Sequence, residues 1–193
     1  MCRSDTSQTA VSRTDLTPVC TIHASRTDLI RAACPGALFG DHDGRKFGWS
    51  CDLQSLGDFR DRDDLHTRES SMVIPDRSKQ CDSELWGIDL PNGDYLVSVG
   101  YSDPSYDTAT DGCKLEGQFA GAGVESASLS RGHNTVPRGQ PMRHMQVVHL
   151  DDGRLTFDGE FESADGRHCQ SISFMLIEKP FTPAKAALSI GDL

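Results

Sequence analysis

The stretch from Trp86 to Pro104 constrains the fold of this chain most strongly, because two alternating segments flank a turn. Large apolar side chains occupy every second position from 86 to 90 and again from 95 to 101, so each segment offers one apolar face as a strand. Between them, Pro91-Asn92-Gly93 combines the preset φ of proline with residues that tolerate the positive φ of tight turns. We predict a β-hairpin here, and because two strands cannot bury such a face alone, a larger sheet must cover it.

Further alternating segments extend this pattern towards the C-terminus. Met145–Leu150 and Leu155–Phe157, joined by a turn at 151–154, predict a second hairpin with one inward face. Cys169–Ile177 predicts a final strand, which ends before Pro180. Short strands separated by turn signals are typical of a β-sandwich, so we predict an all-β fold of mostly antiparallel strands.

The length and the polar ends favour one domain with extensions. A chain of 193 residues accommodates a single sandwich, which we place at 19–180. Residues 1–18 are rich in Ser, Thr, Asp and Arg and predict a flexible extension. Residues 181–193 form a short C-terminal tail in this scheme.

Charge and hydropathy exclude two classes of partner. The 19 basic and 29 acidic residues give a formal charge of −10, whereas binding to a phosphate backbone needs a concentrated cationic face. No apolar run approaches the roughly 18 to 20 residues that span a bilayer. The first six residues also lack the apolar core of a secretory signal. We predict neither nucleic acid binding nor membrane insertion.

The seven cysteines are numerous for a cytosolic protein of this size. They are spread singly, without Cys-x-x-Cys spacing, and so suit long-range disulfides better than a zinc site. The odd number leaves at least one thiol free or paired outside the chain, and small buried thiols are the alternative interpretation. Disulfides predict an oxidising location: secreted, at the cell surface or in the lumen of the secretory pathway.

Motifs of enzymes and cofactor sites are absent from the sequence. There is no nucleophile elbow, zinc-binding His-Glu-x-x-His, phosphate-binding loop or dinucleotide fingerprint, so we predict no enzymatic activity, although a glycosidase carboxylate pair stays open. Asp41 and Asp43 offer oxygen ligands for calcium, but the later ligands of a complete calcium loop are missing. We therefore predict no cofactor, with a structural calcium ion as the alternative.

The order of several motifs resembles malectin-like carbohydrate-binding domains. Phe47-Gly48-Trp49 is followed by an alternating acidic and basic run, by Asp64-Leu65-His66-Thr67, by the segment from Trp86 to Val97, and by Ser102-Asp103-Pro104. The resemblance covers about 40–178. It implies a galactose-binding-like jelly-roll sandwich that holds sugars with aromatic and acidic residues on loops at one edge.

Carried over residue by residue, the resemblance implies a sugar site. Sugars present apolar C–H faces and a rim of hydroxyls, so the site needs exposed rings beside polar groups. Trp86 is interpreted as a core residue, whereas Trp49 is open to either a loop or a core position. In place of the paired aromatics of the family, this chain has Tyr101-Ser102-Asp103-Pro104-Ser105-Tyr106, and it carries additional cysteines. The candidate carbohydrate-binding residues are Phe47, Trp49, Arg60, Tyr101, Asp103, Tyr106 and Asp165.

The same resemblance bears on how the cysteines pair and on what the protein does. It brings the segments of Cys113 and Cys169 close together, and Cys51 and Cys81 flank the acidic and basic run, so we predict these two disulfides. The predicted function is a non-catalytic module that recognises a glycan or glycoprotein. The alternatives are a protein-interaction module within a larger assembly and an accessory domain of a glycan-processing enzyme.

Overall fold

A computed structural model describes residues 22–25, 27–30, 38–42, 44–53, 57–59, 71–75, 85–125, 134–159 and 166–179. These residues contain sixteen strands and no helix, and every pair of strands is antiparallel, which confirms the predicted all-β class. In this part of the chain no helix could span a membrane. The predicted extension, 1–18, and the predicted tail, 181–193, lie outside the described residues.

The strands are β1 Ile22–Ser25, β2 Thr27–Ile30, β3 Gly40–His42, β4 Arg45–Trp49, β5 Gly57–Phe59, β6 Ser71–Val73, β7 Leu85–Asp89, β8 Gly93–Tyr101, β9 Thr108–Ala109, β10 Lys114–Leu115, β11 Gln118–Phe119, β12 Val124–Glu125, β13 Asn134–Val136, β14 Met142–Leu150, β15 Arg154–Asp158 and β16 Phe174–Glu178.

Two sheets enclose the core. One has six strands in the order β11-β10-β15-β7-β4-β3, and the other has three in the order β14-β8-β16. Small sheets β12-β13-β9, β5-β6 and β1-β2 complete the described strands. Buried side chains from both main sheets form one hydrophobic cluster, so the architecture is a β-sandwich.

The core is built from the alternating residues of the sequence. On the six-stranded sheet, Trp86 pairs in register with Trp49 on one side and Phe157 on the other, and all three side chains are buried. On the three-stranded sheet, Val97 and Val99 face the same cluster. The prediction that Trp86 is a core residue is confirmed.

Both predicted hairpins are wrong in their pairing, although their strands are present. β7 belongs to the six-stranded sheet and β8 to the three-stranded sheet, so the turn between them crosses from one layer to the other. The same holds for β14 and β15. The apolar faces therefore meet across the sandwich instead of lying side by side in one sheet. Each face is buried against the apolar face of the other sheet.

The two crossing turns lie against each other at one end of the sandwich. Leu90 N donates to Gly153 O at 2.9 Å, and Asn92 Nδ2 donates to Asp151 O at 2.7 Å. Gly93 and Gly153 have φ of 141° and 81°, which an L side chain rarely adopts. The predicted turn residues therefore do form turns, but these turns connect strands of different sheets instead of neighbouring strands of one sheet.

The predicted Cys113–Cys169 disulfide is present. The two Cα atoms are 4.8 Å apart, the cysteines are 56 positions apart in sequence, and both side chains are fully buried. A backbone bond from Gly112 N to His168 O, 2.7 Å, reinforces the same junction. Cys51 is also disulfide-bonded. Cys81 lies outside the described residues, so the second predicted pair stays a prediction.

Candidate carbohydrate-binding site

Phe47 and Trp49 lie in β4 and point into the core. They are on either side of Gly48 and pair in register with Ile88 and Trp86 of β7. Trp49 is only 1% exposed. Their rings cannot present a face to a sugar, which corrects the expectation of a solvent-facing aromatic loop, because strand alternation directs both side chains inward.

Tyr101 is the last residue of β8 and is also buried. Its hydroxyl donates to Ala120 O at 2.6 Å, which ties β8 to the segment after β11. Burial raises the pKa of the Tyr101 phenol well above its ordinary value. The expectation of a sugar-facing ring is corrected here too, since this side chain closes the end of the core.

Asp103 is buried and organises the loop that follows β8. Its Oδ1 accepts hydrogen bonds from the backbone N of Ser105, 2.7 Å, and of Tyr106, 3.1 Å. Its backbone carbonyl accepts from Gly139 N at 2.9 Å. This is an Asx turn, in which the side chain replaces a backbone acceptor. Asp103 is thus placed to position the loop instead of contacting a sugar through Oδ1.

Tyr106 is the exposed member among those predicted residues that the structure describes. Its side chain is 65% exposed, the largest value among the exposed large hydrophobic residues of the described chain. The loop beneath it is held at both ends, by Asp103 and by Asp107, whose Oδ1 accepts from Arg138 N at 2.8 Å. A braced loop holds an exposed ring in place, so binding through that ring costs little conformational entropy.

Two loops therefore form one surface, which we call the Tyr106 edge and define as residues 103–107 and 137–140. Besides Tyr106, its exposed side chains are polar and include one acidic and one basic residue: Ser105, Asp107, Arg138 and Gln140. Sequence reasoning missed the contribution of 137–140. The signal was the turn-forming Pro137-Arg138-Gly139, but nothing in the sequence links that turn to a loop some thirty residues earlier.

Arg60 and Asp165 lie outside the described residues, so they stay predicted members of the site. Asp41 Oδ1 accepts from Gly44 N at 3.0 Å within a turn, and Asp43 is not among the described residues. Within the described ranges, no three metal-binding side chains form a group that could hold an ion. The calcium alternative thus gains no support from this turn.

A surface depression lies at the opposite end of β8, beside the crossing turns. Asp89, Leu90, Pro91, Asp152, Gly153 and Arg154 line it. The nearby ring of Phe39 is covered by the Arg154 guanidinium, whose Cζ is 4.1 Å from the ring centroid. Arg154 Nε also donates to Asp89 Oδ1 at 2.9 Å. One face of the Phe39 ring is therefore already occupied by Arg154.

Comparisons with known proteins give a likeness of fold only. No protein-family model and no curated protein matches the chain. The Bacillus subtilis protein YxiM is 16% identical, with 87% of this chain and 38% of that one covered and a TM-score of 0.46. A Bacteroides uniformis β-glucuronidase is 8% identical, with 73% of this chain and 15% of that one covered and a TM-score of 0.44. The ANX1 ectodomain of Arabidopsis thaliana is 10% identical, with 62% of this chain and 36% of that one covered and a TM-score of 0.39.

These matches cover well under two thirds of each of the three larger proteins. Their TM-scores are all below 0.5, so they establish neither a family nor an activity. The class of protein that the fold defines is an antiparallel β-sandwich with loop edges.

Proposed function

We propose that this chain is a non-catalytic carbohydrate-binding module that holds a glycan at the Tyr106 edge. The observation that carries the proposal is the exposed Tyr106 ring on a loop braced by the buried Asp103 carboxylate. An aromatic plane stacks on the apolar C–H face of a sugar ring, and a plane fixed before binding loses little conformational freedom.

The polar groups around the ring support the same assignment. Asp107 supplies acceptors, Arg138 supplies donors, and Ser105 and Gln140 supply both, which matches the rim of hydroxyls on a sugar. All four side chains are exposed. Because the edge is open, it covers only part of a well-hydrated ligand, so we expect weak, reversible binding.

The proposed location is extracellular or within the secretory pathway. The Cys113–Cys169 disulfide and the bonded Cys51 support it, since disulfides persist in oxidising compartments. Glycans and glycoproteins are the partners that such a location offers. A jelly-roll topology, as implied by the malectin-like resemblance, remains part of this proposal.

A protein-interaction role is the second candidate, and one observation favours it. Met145 and Val147 on β14 are 57% and 62% exposed, although both are large and apolar. Neighbouring exposed apolar side chains of this kind mark contact surfaces. This surface belongs to the outer face of the three-stranded sheet, so it differs from the Tyr106 edge.

Substitution of Tyr106 tests the proposed site. We expect Tyr106→Ala to weaken binding of the best glycan from an array at least about tenfold in titration calorimetry, because the stacking plane is lost. Tyr106→Phe should bind nearly as well as the parent chain, since the plane remains. Because the side chain is exposed, neither change should alter the free energy of unfolding by more than about 0.5 kcal/mol.

The matched control is Phe119→Ala, which removes another exposed ring that belongs to neither loop of this edge. Affinity should be retained in this variant. Unchanged affinity in Tyr106→Ala would show that the glycan binds elsewhere, and the absence of binding to any glycan would refute the function itself.

A further inference from the structure

We propose that two copies of this chain form a two-fold symmetric dimer by antiparallel pairing of their β14 strands. β14 is nine residues long and lies at the edge of the three-stranded sheet. Within the described ranges it pairs with β8 on one side and with no strand on the other. The backbone groups along its outer edge thus offer a template for another strand.

The sequence of β14 carries few of the features that protect edge strands from pairing. Natural edges are short, or carry lysine, proline, bulges or inward-pointing charges. Met142–Leu150 contains no lysine, proline or glycine, and its pairing with β8 continues through all nine residues without a bulge. A long, regular edge of this kind is suited to strand addition.

The alternation of β14 selects one register for self-pairing. Even-numbered residues share the face that carries the buried Val148 and Leu150, and odd-numbered residues point outward. A second copy must keep these faces aligned, because a one-residue slip exchanges them. Overlap of all nine residues then places Gln146 on the two-fold axis and pairs 143 with 149 and 145 with 147.

On the outer face this register joins the exposed apolar residues. Met145 of one copy lies opposite Val147 of the second copy, and the reverse pair follows by symmetry. Both side chains are mostly exposed in the single chain. Cross-strand apolar pairs stabilise a sheet, so pairing would remove the two most exposed apolar side chains of β14 from water.

Charges on the same face are complementary in this register. Arg143 would lie opposite His149 of the second copy, and His149 Nδ1 is 2.7 Å from Asp94 Oδ1 within its own chain. Within one chain the Arg143 Cζ lies 5.5 Å from the centroid of the Phe174 ring on β16, so this long side chain would turn towards the edge to approach the carboxylate held by the neighbouring strand. The contact occurs twice because an isologous interface repeats every pair.

The inner face presents a polar group that lacks a partner in one copy. Gln146 Oε1 accepts from His144 Nε2 at 2.9 Å, whereas Gln146 Nε2 is buried and has no hydrogen-bond partner in the described structure. On the two-fold axis, two Gln146 side chains meet at cross-strand distance. Because the Gln146 residue is only half-buried, its amide can turn towards the edge, where each Nε2 donates to the amide oxygen of the other copy. This would relieve the cost of an unsatisfied buried donor.

Sedimentation equilibrium of the full chain across a dilution series tests the proposal. We expect a concentration-dependent dimer. Arg143→Asp and Asp94→Arg should each raise the dimer dissociation constant about tenfold, because each places like charges at the interface twice. The double variant Arg143→Asp, Asp94→Arg should restore dimerisation, since opposite charges again face each other. Within one chain, Arg143 lies beside Gly100 of β8, whereas Asp94 lies beside His149, six positions further along β14. The two side chains are therefore too far apart to pair within the same chain, and rescue is expected only across the interface.

Two further variants separate this interface from others. Met145→Lys with Val147→Lys should abolish the dimer, because two lysine pairs then oppose each other. Leu38→Lys, at another exposed apolar residue, should leave it intact. Circular dichroism confirms that each variant is folded. A chain that is monomeric at every concentration, a dimer that survives the lysine substitutions, or a double charge variant without rescue would overturn the proposal.

Discussion

Replacing Trp86 with alanine is expected to lower the free energy of unfolding by about 3 to 5 kcal/mol. The indole is 2% exposed and lies between Trp49 and Phe157 across three adjacent strands. Its removal loses the transfer free energy of a large ring and leaves a cavity that neighbouring rings fill only in part. Urea denaturation followed by circular dichroism measures the change.

Tyr106→Ala is the matched control, because it removes an aromatic ring from an exposed loop. Its denaturation midpoint should stay close to that of the parent chain, and the slope of the transition should be the same in both variants. A loss of less than about 1 kcal/mol for Trp86→Ala would contradict the core described here.

Removal of the Cys113–Cys169 disulfide is the second large effect. The bond closes a loop with a sequence separation of 56, for which the chain-entropy estimate is about 4 kcal/mol. We expect the double variant Cys113→Ala, Cys169→Ala to lose about that much stability. Replacing both cysteines avoids an unpaired thiol, and non-reducing conditions keep the bonded Cys51 oxidised in both proteins.

The comparison is a pair of thermal and urea denaturation curves. Since both cysteines are fully buried, a mild reductant should leave this bond intact in the folded parent chain and reduce it mainly after unfolding. Equal stabilities of the parent chain and the double variant would contradict a structural role for this bond.

Alternation in the sequence was sufficient to identify the inward faces. Trp86, Ile88, Tyr95, Val97 and Val99 all lie in the core, as their spacing indicates. Alternation carries no information on which strand is the neighbour, however. Pro91-Asn92-Gly93 has the composition of a hairpin turn, and only the packing of two layers makes it an arch.

The positions of the candidate site residues were predictable in part, for a related reason. Tyr106 follows the last alternating residue and precedes polar residues, so the sequence predicts that it lies in a loop. Phe47 and Trp49 are also spaced two apart around a glycine, which fits an inward strand face as well as a loop. Their burial follows from pairing with β7, a contact between segments that are distant in sequence.

The two proposals have a joint consequence. Residues 137–140 directly precede β14, so the dimer would carry its two Tyr106 edges at opposite ends of the paired strands. Eight steps along a strand separate them by about 27 Å. Two weak sites at a fixed spacing bind a repeating glycan more tightly than either site alone.

The most direct test of the account is a nuclear magnetic resonance titration of the isotope-labelled chain with its best-binding glycan. The amide signals of 103–107 and 137–140 should shift together and saturate, while those of the crossing turns at 89–93 and 151–154 stay in place. Shifts confined to the crossing turns, or no saturable shift with any glycan, would contradict a sugar site at the Tyr106 edge.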